Sequence, residues 1–106
     1  MTDSEFEALT ATALGRIEQA LEECGVDADV QNSSGGVLEI EFDNGTKMVI
    51  NRHAAARELW VAAKSGGFHF RWDGALWRDT RDDSELFTAL SRLVSAQSGR
   101  GVVLRG

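Results

Sequence analysis

The chain has 106 residues, of which 42% are hydrophobic and 26% charged, and its net charge is −6. This length and composition predict one soluble globular domain that spans residues 1–106. The acidic balance argues against nucleic acid and anionic membrane surfaces as partners, because both are negatively charged. We see no basic leader and no apolar run of the ~20 residues that cross a bilayer, so we expect a cytoplasmic protein without membrane contact.

Negative charge is concentrated in the first part of the chain. Residues 1–43 contain eleven acidic residues and one basic residue, Arg16, which gives −10. Residues 44–106 contain six acidic and ten basic residues, which gives +4. Like charges this close together cost energy, so we expect a positive partner, either a cation or a basic protein surface.

Residues 4–24 are predicted to form an amphipathic helix. Their apolar side chains recur at helical spacing and form one stripe. Two capping boxes are possible at the start of this helix, Thr2 with Glu5 and Ser4 with Glu7. The helix should therefore begin within the first few residues and bury one face.

The middle of the chain alternates apolar and polar residues, which is typical of strands. Strands are predicted at 27–31, 37–42, 47–51, 58–64, 68–72 and 75–78. Asn44-Gly45 lies between two of them and predicts a type I′ hairpin turn, which requires positive φ at two residues. The gaps are too short for crossover helices, so the sheet should be mainly antiparallel.

Residues 84–97 return to helical spacing, with Asp82 or Asp83 near the expected N-cap. A chain with strands in the middle and a helix at each end folds best with both helices on one side of the sheet. We therefore predict the α+β class. The expected architecture is a two-layer α/β sandwich, with two terminal helices packed on one face of a five-to-seven-strand mainly antiparallel sheet.

The other face of this sheet should meet water. Lys47 and Asn51 are alternate residues of one strand and are expected to point outward together. The alternate residues that include Trp60 begin with Glu58 and end with Lys64, both charged. Trp60 is therefore predicted to face outward, near His69 and Arg71. An outward tryptophan in the middle of a sheet is typical of a contact surface. It could equally cover the aliphatic stems of its neighbours.

Five carboxylates follow one another at the end of the first helix and the start of the first strand. They are Glu18, Glu22, Glu23, Asp27 and Asp29, which we call the acidic ridge. Oxygen ligands suit hard cations such as Mg²⁺, Ca²⁺, Mn²⁺ and iron, and an open cluster should bind them weakly. The alternative is a solvated acidic face that only keeps the protein soluble.

Catalytic motifs are absent from the sequence. It contains no G-x-S-x-G, no H-E-x-x-H, no phosphate-binding loop and no dinucleotide fingerprint. Two histidines and one cysteine are too few for a zinc site of the usual Cys/His kind. We therefore predict that the protein is not an enzyme, and we assign no catalytic residue.

Three segments of the chain resemble the frataxin family, and in detail its bacterial CyaY-type members. They are DSEFEAL at 3–9, GGVLEIEFDNGTKMVINR at 35–52 and ELWVAAKSGGFHF at 58–70. The resemblance implies a helix–sheet–helix fold and weak binding of Fe²⁺ or Fe³⁺ by carboxylates of the first helix and strand. It also implies a role in iron–sulfur cluster assembly, with a cysteine desulfurase and a scaffold protein as partners.

The family's functional positions can be carried over to this chain. The iron ligands would be the acidic ridge. The residues that bind the protein partners would be Glu18, Glu22, Asp29, Asn51 and Trp60. Gln19 and Gln31 stand where relatives commonly have acids, so this ridge is thinner and should not bind iron tightly or as several ions.

The resemblance therefore predicts an iron-binding regulator of the desulfurase–scaffold complex, which could also donate iron. The alternative is ferroxidase-like oxidation or storage of iron on the same ridge, although the sequence has no Glu-x-x-His pair of a closed di-iron site. A third option is an acidic interaction module unrelated to iron. We expect a monomer that forms oligomers only if iron drives them.

Overall fold

The computed structural model describes residues 1–106 as two helices and six strands. Their order is α1 (Asp3–Glu23), β1 (Ala28–Ser33), β2 (Val37–Phe42), β3 (Lys47–His53), β4 (Glu58–Ala63), β5 (Gly66–Trp72), β6 (Trp77–Asp79) and α2 (Leu86–Ser98). Each strand pairs antiparallel with the next, in the spatial order β1-β2-β3-β4-β5-β6. The predicted α+β arrangement is confirmed. Neither helix has both the length and the apolar character that crossing a membrane requires.

Helix α1 begins at a capping box formed by Thr2 and Glu5, which is one of the two predicted pairs. The Thr2 hydroxyl accepts a hydrogen bond from the Glu5 amide, and the Glu5 carboxylate accepts one from the Thr2 amide, both at 3.1 Å. Arg57 holds the same end of the helix, because its guanidinium contacts Asp3 at 2.6 Å and donates to the Thr2 carbonyl. The start of α1 is thus tied to the turn between β3 and β4.

The core lies between the two helices and one face of the sheet. Twenty buried apolar side chains form a single cluster. In β2 the alternate residues Leu38, Ile40 and Phe42 are buried, whereas Glu39 and Glu41 are exposed. A similar alternation in β3 and β4 leaves one face of the sheet free of helices, as predicted, although Glu58 on that outer face is buried as well.

The predicted type I′ turn is wrong. Gly45 has a φ of 85°, but Asn44 does not have a positive φ. The loop holds three residues, since the Phe42 amide donates to the Thr46 carbonyl at 2.9 Å. Asn44 instead uses its side chain, which donates to the Gln97 carbonyl of α2 at 2.8 Å and accepts from the Thr46 amide at 3.0 Å. A contact with α2 therefore accompanies the wider loop, and local sequence could not reveal it.

The N-cap of α2 lies two to three residues after the aspartates that the sequence placed near it. Glu85, rather than Asp82 or Asp83, accepts hydrogen bonds from the second and third amides of the helix, at 2.8 and 3.2 Å. The earlier acids belong to a separate turn, in which the Asp79 carboxylate accepts from the Arg81 amide at 2.7 Å. Asp83 in this turn has a φ of 67°. Because the turn uses these residues, the helix begins later than the spacing suggested.

Candidate functional site

The acidic ridge lies where α1 ends and the chain turns into β1. Gly25, with a φ of 77°, follows the C-cap and redirects the chain. Glu18, Glu22 and Glu23 lie on the last two turns of α1, and Asp29 lies on β1. Four of the five ridge side chains are exposed and Glu18 is half-buried. The ridge is therefore a surface feature that is open to a partner or an ion.

No ridge carboxylate forms an ion pair within the protein. Asn32 donates one hydrogen bond to Glu18 at 3.2 Å, and this is the only side-chain hydrogen bond that a ridge carboxylate accepts. By contrast, Asp3 and Glu7 near the start of α1 both contact arginines. The negative charge of the ridge is thus left uncompensated, and a cation or basic surface would relieve the repulsion.

The sheet adds one carboxylate that the sequence interpretation did not place with the ridge. Antiparallel pairing puts Asp29 of β1 opposite Glu41 of β2, and Glu41 opposite Lys47 of β3. Asp29 and Glu41 line the same shallow depression as Asp27 and Asp43. Like charges directly across a strand pair are destabilising, so the pair of Asp29 and Glu41 extends the repulsion, which Lys47 on the other side of Glu41 offsets in part. The hairpin register was the signal that could have predicted it.

A compact metal centre is not preformed. Nowhere do three or more His, Cys, Asp or Glu side chains come together in a group that could hold a metal ion. A hard cation at the ridge would therefore be held by one or two carboxylates and otherwise by water, which favours weak binding. The assignment of the five ridge residues as iron ligands stays a prediction.

Trp60 lies on the outer face of the sheet, as predicted, in a stack of three rings. The indole is stacked between His53 of β3, at 3.7 Å between ring centroids, and His69 of β5, at 4.5 Å. The interplanar angles are 7° and 10°. Cross-strand pairing brings Asn51 to one side of Trp60 and His69 to the other. Strand register therefore assembles this surface from three strands, and the sequence interpretation missed His53 as a member.

Glu58 fixes the position of this stack. Its side chain accepts hydrogen bonds from Trp60 Nε1 at 2.9 Å and from Arg71 at 2.7 Å, and it is only 8% exposed. Burial raises the pKa of the Glu58 carboxyl, but the hydrogen bonds from Trp60 and Arg71 outweigh it and hold this pKa below its ordinary value. His69 Nδ1 lies 3.7 Å from the same carboxylate. Glu58 was missed as a functional neighbour of Trp60, although spacing by two along a strand was its signal.

The chain matches the sequence model of the frataxin-like domain over residues 1–100. The chain belongs to the frataxin-like family. The resemblance noted in the sequence is thereby confirmed, and it extends well beyond the three segments that first indicated it.

Two curated relatives of the family cover nearly the whole chain. The iron–sulfur cluster assembly protein CyaY of Dechloromonas aromatica is 59% identical over 105 residues, which cover 99% of this chain and 100% of the relative. The protein of the same name from Herminiimonas arsenicoxydans is 56% identical over 109 residues, covering 99% and 97%. Both names describe those relatives as assembly proteins for iron–sulfur clusters.

Solved structures of the family confirm the fold. Frataxin from Psychromonas ingrahamii superposes with a TM-score of 0.90 at 34% identity, and the match covers 100% of both chains. A trimeric frataxin from the yeast Saccharomyces cerevisiae, solved with ferrous iron, superposes with a TM-score of 0.60 at 22% identity, covering 92% and 86%. At that identity the yeast protein shows a shared fold only.

Proposed function

We propose that this protein acts in iron–sulfur cluster assembly as a regulator that docks on a cysteine desulfurase and its scaffold protein, and not as an enzyme. The observation that carries the proposal is the acidic ridge, whose five carboxylates have no ion pair within the protein. The names of relatives at 59% and 56% identity support the assembly role. The protein would act in the cytoplasm, together with the desulfurase and the scaffold protein.

Docking on the desulfurase would use the ridge as an electrostatic surface. Uncompensated charge accelerates the encounter with an oppositely charged partner and fixes the orientation of the complex. Glu18, Glu22 and Asp29 lie on two different elements, so they present charge across both the helix end and the sheet edge. A basic patch on the desulfurase would meet all three at once.

The scaffold protein would contact the outer face of the sheet around Asn51 and Trp60. Trp60 is already held by two stacked rings and one hydrogen bond. A side chain that is fixed before binding loses little conformational entropy in the complex. A central aromatic residue held in this way favours a specific protein contact.

Iron would be cargo that binds weakly to the ridge through carboxylate oxygens. The absence of any preformed group of three ligands favours rapid exchange over storage. An ion that exchanges rapidly can be passed to the assembly machinery, which fits a donor as well as a sensor of iron.

Neutralising the ridge tests the docking proposal. The double variant Glu22→Gln with Asp29→Asn removes two exposed charges and no ion pair. We expect its affinity for the cysteine desulfurase, measured by calorimetry at ~150 mM salt, to fall by about tenfold or more, since exposed charges are only partly screened there.

A matched control separates the ridge from net charge. Ala54→Lys with Ala55→Lys raises the net charge by the same two units, at exposed positions of the β3–β4 turn. This turn lies at the end of the sheet opposite to Asp29. The control should bind the desulfurase almost as the unmodified protein does. Equal affinity of the ridge variant and the unmodified protein would refute docking through the ridge.

A further inference from the structure

A cleft of about 430 Å³ opens on the helix side of the sheet, on the face opposite to Trp60. It lies between α1, the β5–β6 turn and the start of α2. Its apolar wall consists of Leu9, Ala13, Trp72, Leu76, Trp77 and Phe87. This volume lies within the ~300–1,000 Å³ typical of small-molecule sites, which are also mostly apolar with a few polar groups. Neither the acidic ridge nor the Trp60 surface contributes a residue to it.

The aromatic wall of the cleft is held in place by packing. The rings of Trp72 and Trp77 lie 5.5 Å apart at 59°, and Trp77 in turn meets Phe6 edge to face at 6.4 Å. Leu76, beside them, is 42% exposed and is one of three large hydrophobic residues left exposed on the molecule. The cleft thus offers apolar surface that ring packing holds rigid at Trp72 and Trp77, and that remains exposed to solvent at Leu76.

Arg16 is the charged side chain at the cleft that has no partner within the protein, and it could pair with an anion. Arg16 forms no ion pair and no hydrogen bond with any other residue, although it is the only base in the strongly acidic first 43 residues. Glu85 also lines the cleft, but its carboxylate accepts hydrogen bonds from the Phe87 and Thr88 amides as the cap of α2. The Glu85 charge is therefore directed into the helix end. Gly106, the last residue, also lines the cleft beside the Phe87 ring, so an added anion has to outcompete the terminal carboxylate for the Arg16 guanidinium.

We propose that this cleft binds a small carboxylate that carries an aromatic or branched aliphatic body. The body would pack between Trp72 and Leu76, and the carboxylate would pair with the planar fork of Arg16, which matches two carboxylate oxygens. The site is independent of desulfurase docking, since it shares no residue with the ridge.

The probe is 1-naphthylacetate, and its matched control is the neutral 1-naphthylacetamide. Binding is followed by the indole N–H resonances of Trp72 and Trp77 in ¹⁵N-labelled protein. We expect saturable shifts of these two resonances, with the acid binding about tenfold more tightly than the amide, as a hydrogen-bonded charge pair provides. Leu76→Ser should weaken both compounds.

Two arginine variants isolate the role of the guanidinium. Arg16→Gln should lower the affinity for the acid to that for the amide, whereas Arg100→Gln, an exposed arginine outside the cleft, should change neither. An unchanged amide spectrum confirms that each variant is folded. The proposal is overturned if neither compound shifts the two indole resonances up to 5 mM (about the limit of weak specific binding). It is equally overturned if Arg16→Gln keeps the preference for the acid.

Discussion

Replacing Glu58 by alanine should destabilise the protein, although Glu58 lies on the face of the sheet that carries no helix. Its carboxylate is 8% exposed and accepts hydrogen bonds from Trp60 at 2.9 Å and Arg71 at 2.7 Å. Alanine leaves the half-buried indole N–H without an acceptor. It also removes the group that holds the three-ring stack to the sheet.

The magnitude follows from the two partners. A hydrogen bond to a charged group contributes about 1.5–3 kcal/mol, and this range applies to the indole of Trp60. Arg71 is 63% exposed, so its ion pair contributes only about 0–1 kcal/mol. We expect a loss of about 2–3 kcal/mol in the free energy of unfolding. For a domain of this size, that loss lowers Tm by about 10 °C.

The pH dependence separates the charge of Glu58 from its shape. Burial raises the pKa of the Glu58 carboxyl, but hydrogen bonds from Trp60 and Arg71 lower it by a larger amount. The pKa of Glu58 in the folded protein therefore lies below the ordinary value. Stability from a lowered pKa is fully present above the unfolded value of about 4.3, and it is lost as pH falls through the folded pKa. Glu58→Gln keeps an acceptor for Trp60 without the charge. The difference in unfolding free energy between unmodified protein and Glu58→Gln should therefore be large at neutral pH and small in acid.

The assay is urea unfolding followed by far-ultraviolet circular dichroism, which does not depend on the fluorescence of Trp60. Unmodified protein, Glu58→Ala and Glu58→Gln are compared at neutral pH and again in acid, below the ordinary carboxyl pKa. Glu39→Ala is the matched control, because Glu39 is exposed on the same face and forms no hydrogen bond through its side chain. Equal stability of Glu58→Ala and Glu39→Ala would contradict this role of Glu58. A stability difference between unmodified protein and Glu58→Gln that is the same at both pH values would contradict the role of its charge.

The remaining predictions concern the ridge and the hairpin. Titration with Fe²⁺ should broaden amide resonances within residues 18–29, and broadening centred elsewhere would contradict the ridge as the iron site. Oxygen consumption with Fe²⁺ should match that of buffer, whereas a clear acceleration would support the ferroxidase alternative. Asn44→Ala should lower the free energy of unfolding by about 1–2 kcal/mol, because its side chain joins Gln97 and Thr46. Asn32→Ala, which loses one exposed hydrogen bond, should cost much less in the same denaturation experiment.

The pattern of apolar residues was sufficient to predict the layers of this fold. Period-two alternation in 37–42 correctly assigned Leu38 and Ile40 to the core and Glu39 to the outer face. Local capping was less predictable, because it depends on what the neighbouring chain provides. Glu85 caps α2, whereas the carboxylates of Asp79 and Asp82 accept hydrogen bonds within the upstream turn.

The candidate site was predictable only in the part that is local in sequence. Glu18 and Glu22 follow from helical spacing, whereas Glu41 beside Asp29 requires the strand register. The burial of Glu58 was also out of reach, since partners on β4 and β5 cover it. Spacing along one element carries no information about which elements become neighbours.

The ridge occupies the end of α1 where the helix itself is negative. The backbone dipoles of a helix sum to about half a negative charge at its C-terminus, and each acid there costs about 0.3–1 kcal/mol. Glu22 and Glu23 lie in that last turn, which contains no basic residue. The helix is therefore less stable than it would be with neutral residues at these positions. A cation or basic surface at this end would counter both the carboxylates and the helix dipole, so binding there should stiffen α1 as well as neutralise it.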